Sequence, residues 1–541
     1  MKRLYTLMLL AMGCMTAAMA QWNTNATPKC IYEAPAGSDY YACTSKAVRT
    51  ADSKTWIAWK TWGVKYVGET KCLAVRTYLQ LLSADGVPQF DEPILVNDHI
   101  TASWWSQYSL QVAADGSAIV TVADGRTEET AIPTGSGTEA YSAQTFTPAI
   151  YKVSQEGDML WGLDGVEYRQ YTNAEFTRAI VVGEDTYFFF YNQTYDGSGT
   201  ADDMTDYGTF VQRISDDGTE AWDTPRKWSD DQVFPTLVPS TDSEFLLIEN
   251  SPLGALCHRL NADLEEVWGE AVLIDDNSSS DKSMQPYKAV SDGQGGAAVA
   301  FVRAMGGFSH NIRVQHIYAD GSLGFGLTGL DAADTEDNDY DYCNIAANPA
   351  TEQILVDFES QINDNGYHVM LQGFSYDGDY LFEPLGLSIA QKTTNSGYAF
   401  GSVGCGALSN GDWIVAYRDV QAWGANTSFI IRRYDADGKQ LWTRTIGRNL
   451  DPSSITFIVE EDASYLFYRE YAAAKNPGIT VFRIANDGTY SQAVGISEQP
   501  ASSTAACQQH YYSLDGKQLQ QPGRGISIVR HSDGTMSKVM K

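Results

Sequence analysis

Apolar residues in this chain come in short alternating runs separated by glycine-bearing turns. The pattern is clearest around residue 300. Residues 286–291 (PYKAVS) and 297–303 (AAVAFVR) are β-rich runs split by Asp292-Gly293 and further glycine. Next, 312–318 (IRVQHIY) leads into Ala319-Asp320-Gly321 and a fourth short run that ends near Leu327. Four strands joined by tight turns fit this stretch, because Asp-Gly tolerates positive φ and matches the twist of antiparallel strands. The same signal returns at Asp115-Gly116 and Asn410-Gly411, each ahead of an apolar run. Convincing helical periodicity is absent; the Ala-rich 472–474 is brief and lies beside Pro477.

The unit repeats. Turn pairs at Asp85-Gly86, Glu156-Gly157, Asp217-Gly218, Asp263-Leu264, Asp320-Gly321, Asp377-Gly378, Asp437-Gly438 and Asp487-Gly488 mark eight copies at a mean spacing of about 57 residues. Four positions after the Gly slot stand Phe90, Trp161, Trp222, Trp268, Phe325, Phe382 and Trp442, whereas the eighth copy has Gln492. Four positions before it stand Leu82, Val153, Ile214, Leu260, Ile317, Phe374, Tyr434 and Ile484. Eight four-stranded repeats of this length predict an all-β fold, a closed β-propeller of eight blades over 38–498. A parallel β-helix is the main alternative, but its rungs are usually shorter. The recurring aromatics read as packing between blades, each burying about 150–250 Å². The broken eighth copy is expected where the ring closes, with a strand from 28–34 within the 21–37 segment completing it. The repeats resemble those of large secreted bacterial proteins in the glycine-rich turn at Ser291-Asp292-Gly293-Gln294-Gly295-Gly296-Ala297 and in Ile431-Arg432-Arg433-Tyr434 running to Leu441-Trp442. That resemblance implies a propeller and no particular activity.

Both ends point to export. Lys2-Arg3, an apolar run to Met12 and Ala18-Met19-Ala20 read as a signal peptide over 1–20. A rival reading makes Cys14 a lipidated cysteine. No apolar run is long enough to predict a transmembrane segment. After a linker at 499–510, residues 511–541 form a short β-hairpin tail that is basic where the body is acidic. Tyr512-Ser513-Leu514-Asp515-Gly516-Lys517-Gln518-Leu519, Gly525-Ile526-Ser527-Ile528-Val529-Arg530 and the terminal Lys541 resemble the end of the sorting domains of Bacteroidota that the type IX secretion system recognises. The resemblance implies recognition of 511–541 by secretion machinery and a secreted or outer-surface location, with the periplasm as alternative.

The formal charge is −31, or −33 once Lys2 and Arg3 leave with 1–20. Such a balance argues against nucleic acid, whose phosphates call for Lys and Arg, and against anionic membranes. The seven cysteines beyond residue 20 show no C-x-x-C spacing for zinc; Cys30, Cys43 and Cys72 lie close enough in sequence for one disulfide. The seven histidines are scattered singly, and His258 and His316 fall in strand slots that read as structural. No Gly-x-Ser-x-Gly elbow occurs, and Ser215–Trp222 misses the sialidase Asp-box spacing. Asp334, Asp337, Asp339 and Asp341 are candidates for calcium, the one cofactor the chain suggests, although they lack an EF-hand frame. Candidate ligand contacts are Trp104, Trp105, Tyr195, Asp196, Asp202, Asp203, Tyr207 and Trp423, where aromatics beside carboxylates would stack on sugars or grip a peptide. The expected function is therefore a binding or scaffold propeller for glycan or protein ligands. The alternative is a glycoside hydrolase or lyase working through paired carboxylates.

Overall fold

The structure is a computed structural model. It describes residues 22–490 apart from 34–40, 68–69, 97–107, 126–131, 134–138, 142–145, 172–173, 193–206, 232, 252–253, 276–287, 307–308, 334–337, 340–342, 363–365, 383–385, 393–399, 421–426, 451 and 471–477, together with four short strands between 510 and 540. The described residues contain no helix. Eight antiparallel sheets built on four strands form an eight-bladed β-propeller. The first strand of each blade lies against the first strand of the next, and these inner strands close on themselves. In order they are Tyr41–Arg49, Leu110–Val112, Ala174–Val182, Thr236–Pro239, Lys288–Ser291, Cys343–Asn348, Phe400–Ala407 and Pro452–Val459. Blade eight takes its fourth strand from the N-terminus: Lys29–Glu33 pairs antiparallel with Gly478–Ala485. The two middle strands of a blade are the most enclosed, as in Ala118–Asp124 and Thr147–Val153, where every residue is buried. Such strands face neighbouring blades on both sides, so they read as unbroken apolar runs rather than alternating ones.

The repeat has a physical cause in the Asp-Gly turn. In each copy the Gly slot adopts the left-handed conformation, from Gly86 at φ 77° to Gly488 at φ 84°. In the copy without glycine, Leu264 carries the strain at φ 63°. The aromatic that follows each turn does not pack on its own blade's turn but on the Gly of the next blade's. A Cβ on Gly218 would lie 2.7 Å from the Trp161 ring, on Gly321 3.0 Å from Trp268, and on Gly378 3.2 Å from Phe325. Glycine is thus required twice, for its φ and for the ring lying on it. Where the aromatic is Trp, its indole N–H donates to the carbonyl two residues before that Gly: Trp161 to Asp216 O at 3.0 Å, Trp268 to Ala319 O at 3.0 Å and Trp442 to Asn486 O at 2.8 Å.

Two exceptions confirm the rule. The eighth copy lacks its aromatic, and Trp22 from the N-terminal segment takes the place. Its ring covers Gly86, within 2.6 Å of where a Cβ would stand, and its N–H donates to Ala84 O at 2.7 Å. Trp222 faces a turn with Leu264 in the Gly slot, so no seat is open to it. It lies under Arg226 instead, 4.0 Å from ring centroid to guanidinium, and Ala262 O accepts from Arg213 at 2.8 Å and from Tyr187 at 3.1 Å.

Buried glutamines attach the outer strand. Gln212 donates to Trp222 O at 2.8 Å, and Gln315 donates to Gly326 O at 2.6 Å while accepting from Phe325 N. Basic residues one position before the apolar marker reach the next blade. Lys152 pairs with Asp216, and Arg433 donates to Asn486 O at 2.7 Å. Residues 493–541 form a separate compact unit with strands His510–Tyr512, Gln518–Leu519, Ile526–Arg530 and Met536–Met540. His510–Tyr512 lies between Gln518–Leu519 and Ile526–Arg530, and Met536–Met540 is the outer strand beyond Ile526–Arg530.

Candidate functional site

The inner strands form a ring around a central hollow, and three cations carried on them bear on one another. Lys46 stands on the inner strand of blade one, Arg178 on that of blade three and Lys288 on that of blade five. Lys46 and Arg178 both follow directly on β-bulges, between Ala42 and Ser45 and between Glu175 and Arg178, and a bulge re-aims the side chains beside it. The second bulge carries Phe176 at φ 52°, and its ring packs on Phe234 at 4.1 Å between centroids. Lys46 and Lys288 are open to solvent, with protein close around the Lys46 side chain. Enclosure, with repulsion from Arg178 and Lys288, brings the Lys46 ammonium down to about 8. Charges from three alternate blades bear on one ammonium only if they converge across the hollow. Lys46 also sits 5.4 Å from the Tyr108 ring centroid, and Tyr108 is held by donation to Ala58 O at 3.1 Å. Arg178 donates to Pro235 O at 2.6 Å, and burial lowers its pKa.

A polar network joins blades six and seven. Asn344 donates to Ser402 Oγ at 2.7 Å, Ser402 Oγ donates to Asp357, and Ser402 N donates to Glu359 at 2.7 Å. Asp357 is fully buried, and its enclosure outweighs these donors to raise its carboxyl to about 6. The nearby Cys343 thiol feels both Lys288 and Asp357, and burial pushes its pKa up to about 12. Cys257, Cys343 and Cys405 are buried or half-buried thiols, and Cys30 Sγ donates to Tyr32 O at 3.1 Å.

Trp104, Trp105, Tyr195, Asp196, Asp202, Asp203 and Trp423 fall outside the described residues, as do Asp334, Asp337 and Asp341. Asp339 lies in a two-residue strand whose side chains are not described. Tyr207 is half-buried and packs edge-on against Tyr191 at 5.6 Å. Among the described residues no group of three or more His, Cys, Asp or Glu side chains is placed to hold a metal ion. His258 lies between Glu249, 3.3 Å from Nε2, and Glu266 at Nδ1. His316 contacts Asp292 at 3.1 Å with both side chains enclosed. Both histidines are part of the packing. No sequence motif joins Lys46, Arg178 and Lys288. Their signal was positional: scarce basic residues, 37 Lys and Arg against 68 acids, in the first strand of alternate repeats.

No family model and no curated protein matches the chain. Solved structures similar to it include a protein of unknown function from Dyadobacter fermentans, at 11% identity over 84% of this chain and 98% of that one, with a TM-score of 0.36. An ulvan lyase, a polysaccharide lyase, aligns at 9% identity over 85% of this chain and 97% of its own, with a TM-score of 0.40. The acylaminoacyl peptidase of Pyrococcus horikoshii aligns at 12% identity over 80% of this chain and 57% of that one, with a TM-score of 0.39. Likenesses this distant carry no argument about ligand or chemistry.

Proposed function

We propose that this chain is an exported binding propeller that takes an anionic glycan at its central hollow. The observation that carries the reading is the meeting of Lys46, Arg178 and Lys288 within a chain of net charge −31. A purely structural cation in so acidic a protein would be expected to sit against a carboxylate. Among the described residues neither Lys46 nor Lys288 forms an ion pair, and their mutual repulsion is a cost that an anion would remove. Negative charge over the rest of the surface would confine an acidic ligand to this one positive well, which favours selectivity. The carboxylate-based hydrolase is less well supported. Asp357 is fully enclosed, so it cannot touch a substrate without rearrangement. The signal-like 1–20 and the sorting-like tail support a secreted or surface location for such a binder.

Titration calorimetry with polygalacturonate, chondroitin sulfate, dextran and polyglutamate tests this reading. The two acidic glycans should bind and dextran should not. Affinity should fall with salt, and Lys46→Ala/Lys288→Ala should weaken binding at least tenfold. Binding of polyglutamate alone would replace the glycan with an acidic peptide. Equal binding by the double variant would remove the hollow from the reading.

A further inference from the structure

Five non-glycine residues among those described have a positive φ. Ser53, Leu264 and Glu352 do so in turns between strands, whereas Phe176 and Ser454 do so inside inner strands. Phe176, at φ 52°, is the bulky member of that pair. Left-handed backbone is rare and unfavourable for a large side chain. The residue stands at the bulge between Glu175 and Arg178, where the first strand of blade three shifts register against Asp185–Asn192. Strain of this kind persists only where the surroundings over-determine it, and it clusters at sites that bind or react.

The contacts of Phe176 show what the strain achieves. Its ring lies against Phe234 with centroids 4.1 Å apart and planes inclined at 57°. Arg178, two residues on, donates to the carbonyl of Pro235, the residue after Phe234, at 2.6 Å. An aromatic pair and a guanidinium are thus set side by side on the crossing from blade three to blade four. Phe234 is backed edge-on by Tyr191 at 6.3 Å, and Tyr191 in turn by Tyr207 at 5.6 Å. Tyr191 is wholly enclosed, which makes a firm backing, while Phe176 and Phe234 are each only half-buried. Rings that served packing alone would gain by full burial. These two keep part of their surface in water beside a cation.

We infer that Phe176 and Phe234 form a sugar platform on which the C–H face of a uronate ring rests, its carboxylate turned toward the charges of Arg178 and Lys46, an inference that rests on the anionic-glycan reading of the hollow and names the class of sugar. An aromatic face carries partial negative charge, so it attracts the polarised C–H groups on one side of a sugar ring and repels a bare anion. Arg178 and Lys46 stand on different blades yet repel each other, so a carboxylate at the edge of the sugar is met from two sides. An inorganic anion would use the cations alone, and a neutral sugar the rings alone. A uronate uses both.

Calorimetry on the full chain with trigalacturonate, galacturonate, tripolyphosphate and phenylacetate tests the platform. Trigalacturonate and tripolyphosphate should both bind. Phe176→Gly removes the ring and relieves the backbone, and Phe234→Leu keeps the apolar bulk without the aromatic face. Each should weaken trigalacturonate binding by roughly five- to tenfold, the effect of about one aromatic contact, and leave tripolyphosphate binding unchanged. Retained tripolyphosphate binding shows that the cations are still in place, so a misfolded variant cannot imitate this result. Lys46→Ala/Lys288→Ala should weaken both ligands. Unchanged trigalacturonate affinity in both Phe variants, or equal losses for the two ligands, would overturn the platform and leave the anion site standing. Failure of the unaltered protein to bind either ligand would overturn the anionic-glycan reading and the platform with it. Displacement of trigalacturonate by phenylacetate at lower concentration than by galacturonate would overturn the sugar in favour of an aromatic acid.

Discussion

Trp22 is predicted to hold the propeller shut, and the consequence of removing it can be worked from its surroundings. The side chain is 4% exposed and stacks over Gly86, with Tyr465 edge-on at 5.3 Å and Phe467 at 6.4 Å. A buried indole covers about 200 Å², which at about 25 cal/mol/Å² amounts to roughly 5 kcal/mol. Partial collapse of the site lowers the measured loss for such truncations to about 3–5 kcal/mol. The bond to Ala84 O adds about 1 kcal/mol. Trp22→Ala should therefore destabilise the closing blade by about 4 kcal/mol, and Trp22→Phe, which keeps the ring on the glycine, by about 1 kcal/mol. Trp222 provides the contrast. It has the same position in the repeat but no glycine to cover, and its main contact is the Arg226 guanidinium at 4.0 Å. Trp222→Ala should cost less than about 1 kcal/mol. A ring this large need not unfold in two states, so urea denaturation should be joined by hydrogen exchange of Lys29–Glu33, where Trp22→Ala alone should raise the exchange rates. Equal losses for Trp22→Ala and Trp222→Ala would refute the aromatic-on-glycine account. Coupling gives a second check. A Cβ at Gly86 would meet the Trp22 ring at 2.6 Å, so Gly86→Ala should cost less in the Trp22→Ala background than alone.

Three further outcomes follow from the same geometry. Burial opposes the His258 imidazolium, but Glu249 and Glu266 prevail and raise its pKa to about 9. The resulting stability, on the order of 3 kcal/mol, is fully present below about pH 6.5 and lost as pH rises through 9; His258→Gln should flatten that slope in thermal melts from pH 6 to 9.5, and an unchanged slope counts against the ion pairs. Asp357 has the opposite chemistry: its raised carboxyl favours the protonated folded state, so stability falls as pH rises from about 4 to 6. Asp357→Asn should remove this fall and leave the protein at pH 7.5 more stable by about 2 kcal/mol, and a less stable variant would show that the carboxylate is needed charged. Leu264→Gly relieves a left-handed leucine at φ 63° and opens the seat that Trp222 lacks. In that background Trp222→Ala should cost at least about 2 kcal/mol by urea titration, and no change in its cost would mean the seat is not usable.

The repeat was legible because its requirements are local. Positive φ at a turn and a ring lying on its backbone each demand glycine, so the demand recurs wherever a blade turns. Its exceptions were equally legible once paired. Leu264 and the undocked Trp222 are two faces of one change, since the aromatic of one copy answers to the glycine of the next. Between copies, the aromatic precedes the next Gly slot by 46 to 67 residues where the pair is intact, and Trp22 precedes Gly86 by 64. Trp22 could thus have been read as the stray half of the eighth copy, carried to the other end of the chain because a ring must close on itself. The strand Lys29–Glu33, which follows Trp22 and joins blade eight, agrees with that reading. The central hollow was not legible, for the converse reason. Lys46, Arg178 and Lys288 owe nothing to their immediate neighbours in sequence, and only ring closure brings blades one, three and five to face one another. The alignment of Glu33 and Glu470 across Gly478 was hidden in the same way, because it exists only when the N-terminal strand enters the last blade. Closure at one seam therefore covers two glycines together from the N-terminal segment: Gly86 lies under the Trp22 ring, and Gly478 lies against Cys30 Sγ and Tyr32 O, so the end that completes the last sheet also supplies the aromatic its own copy lacks.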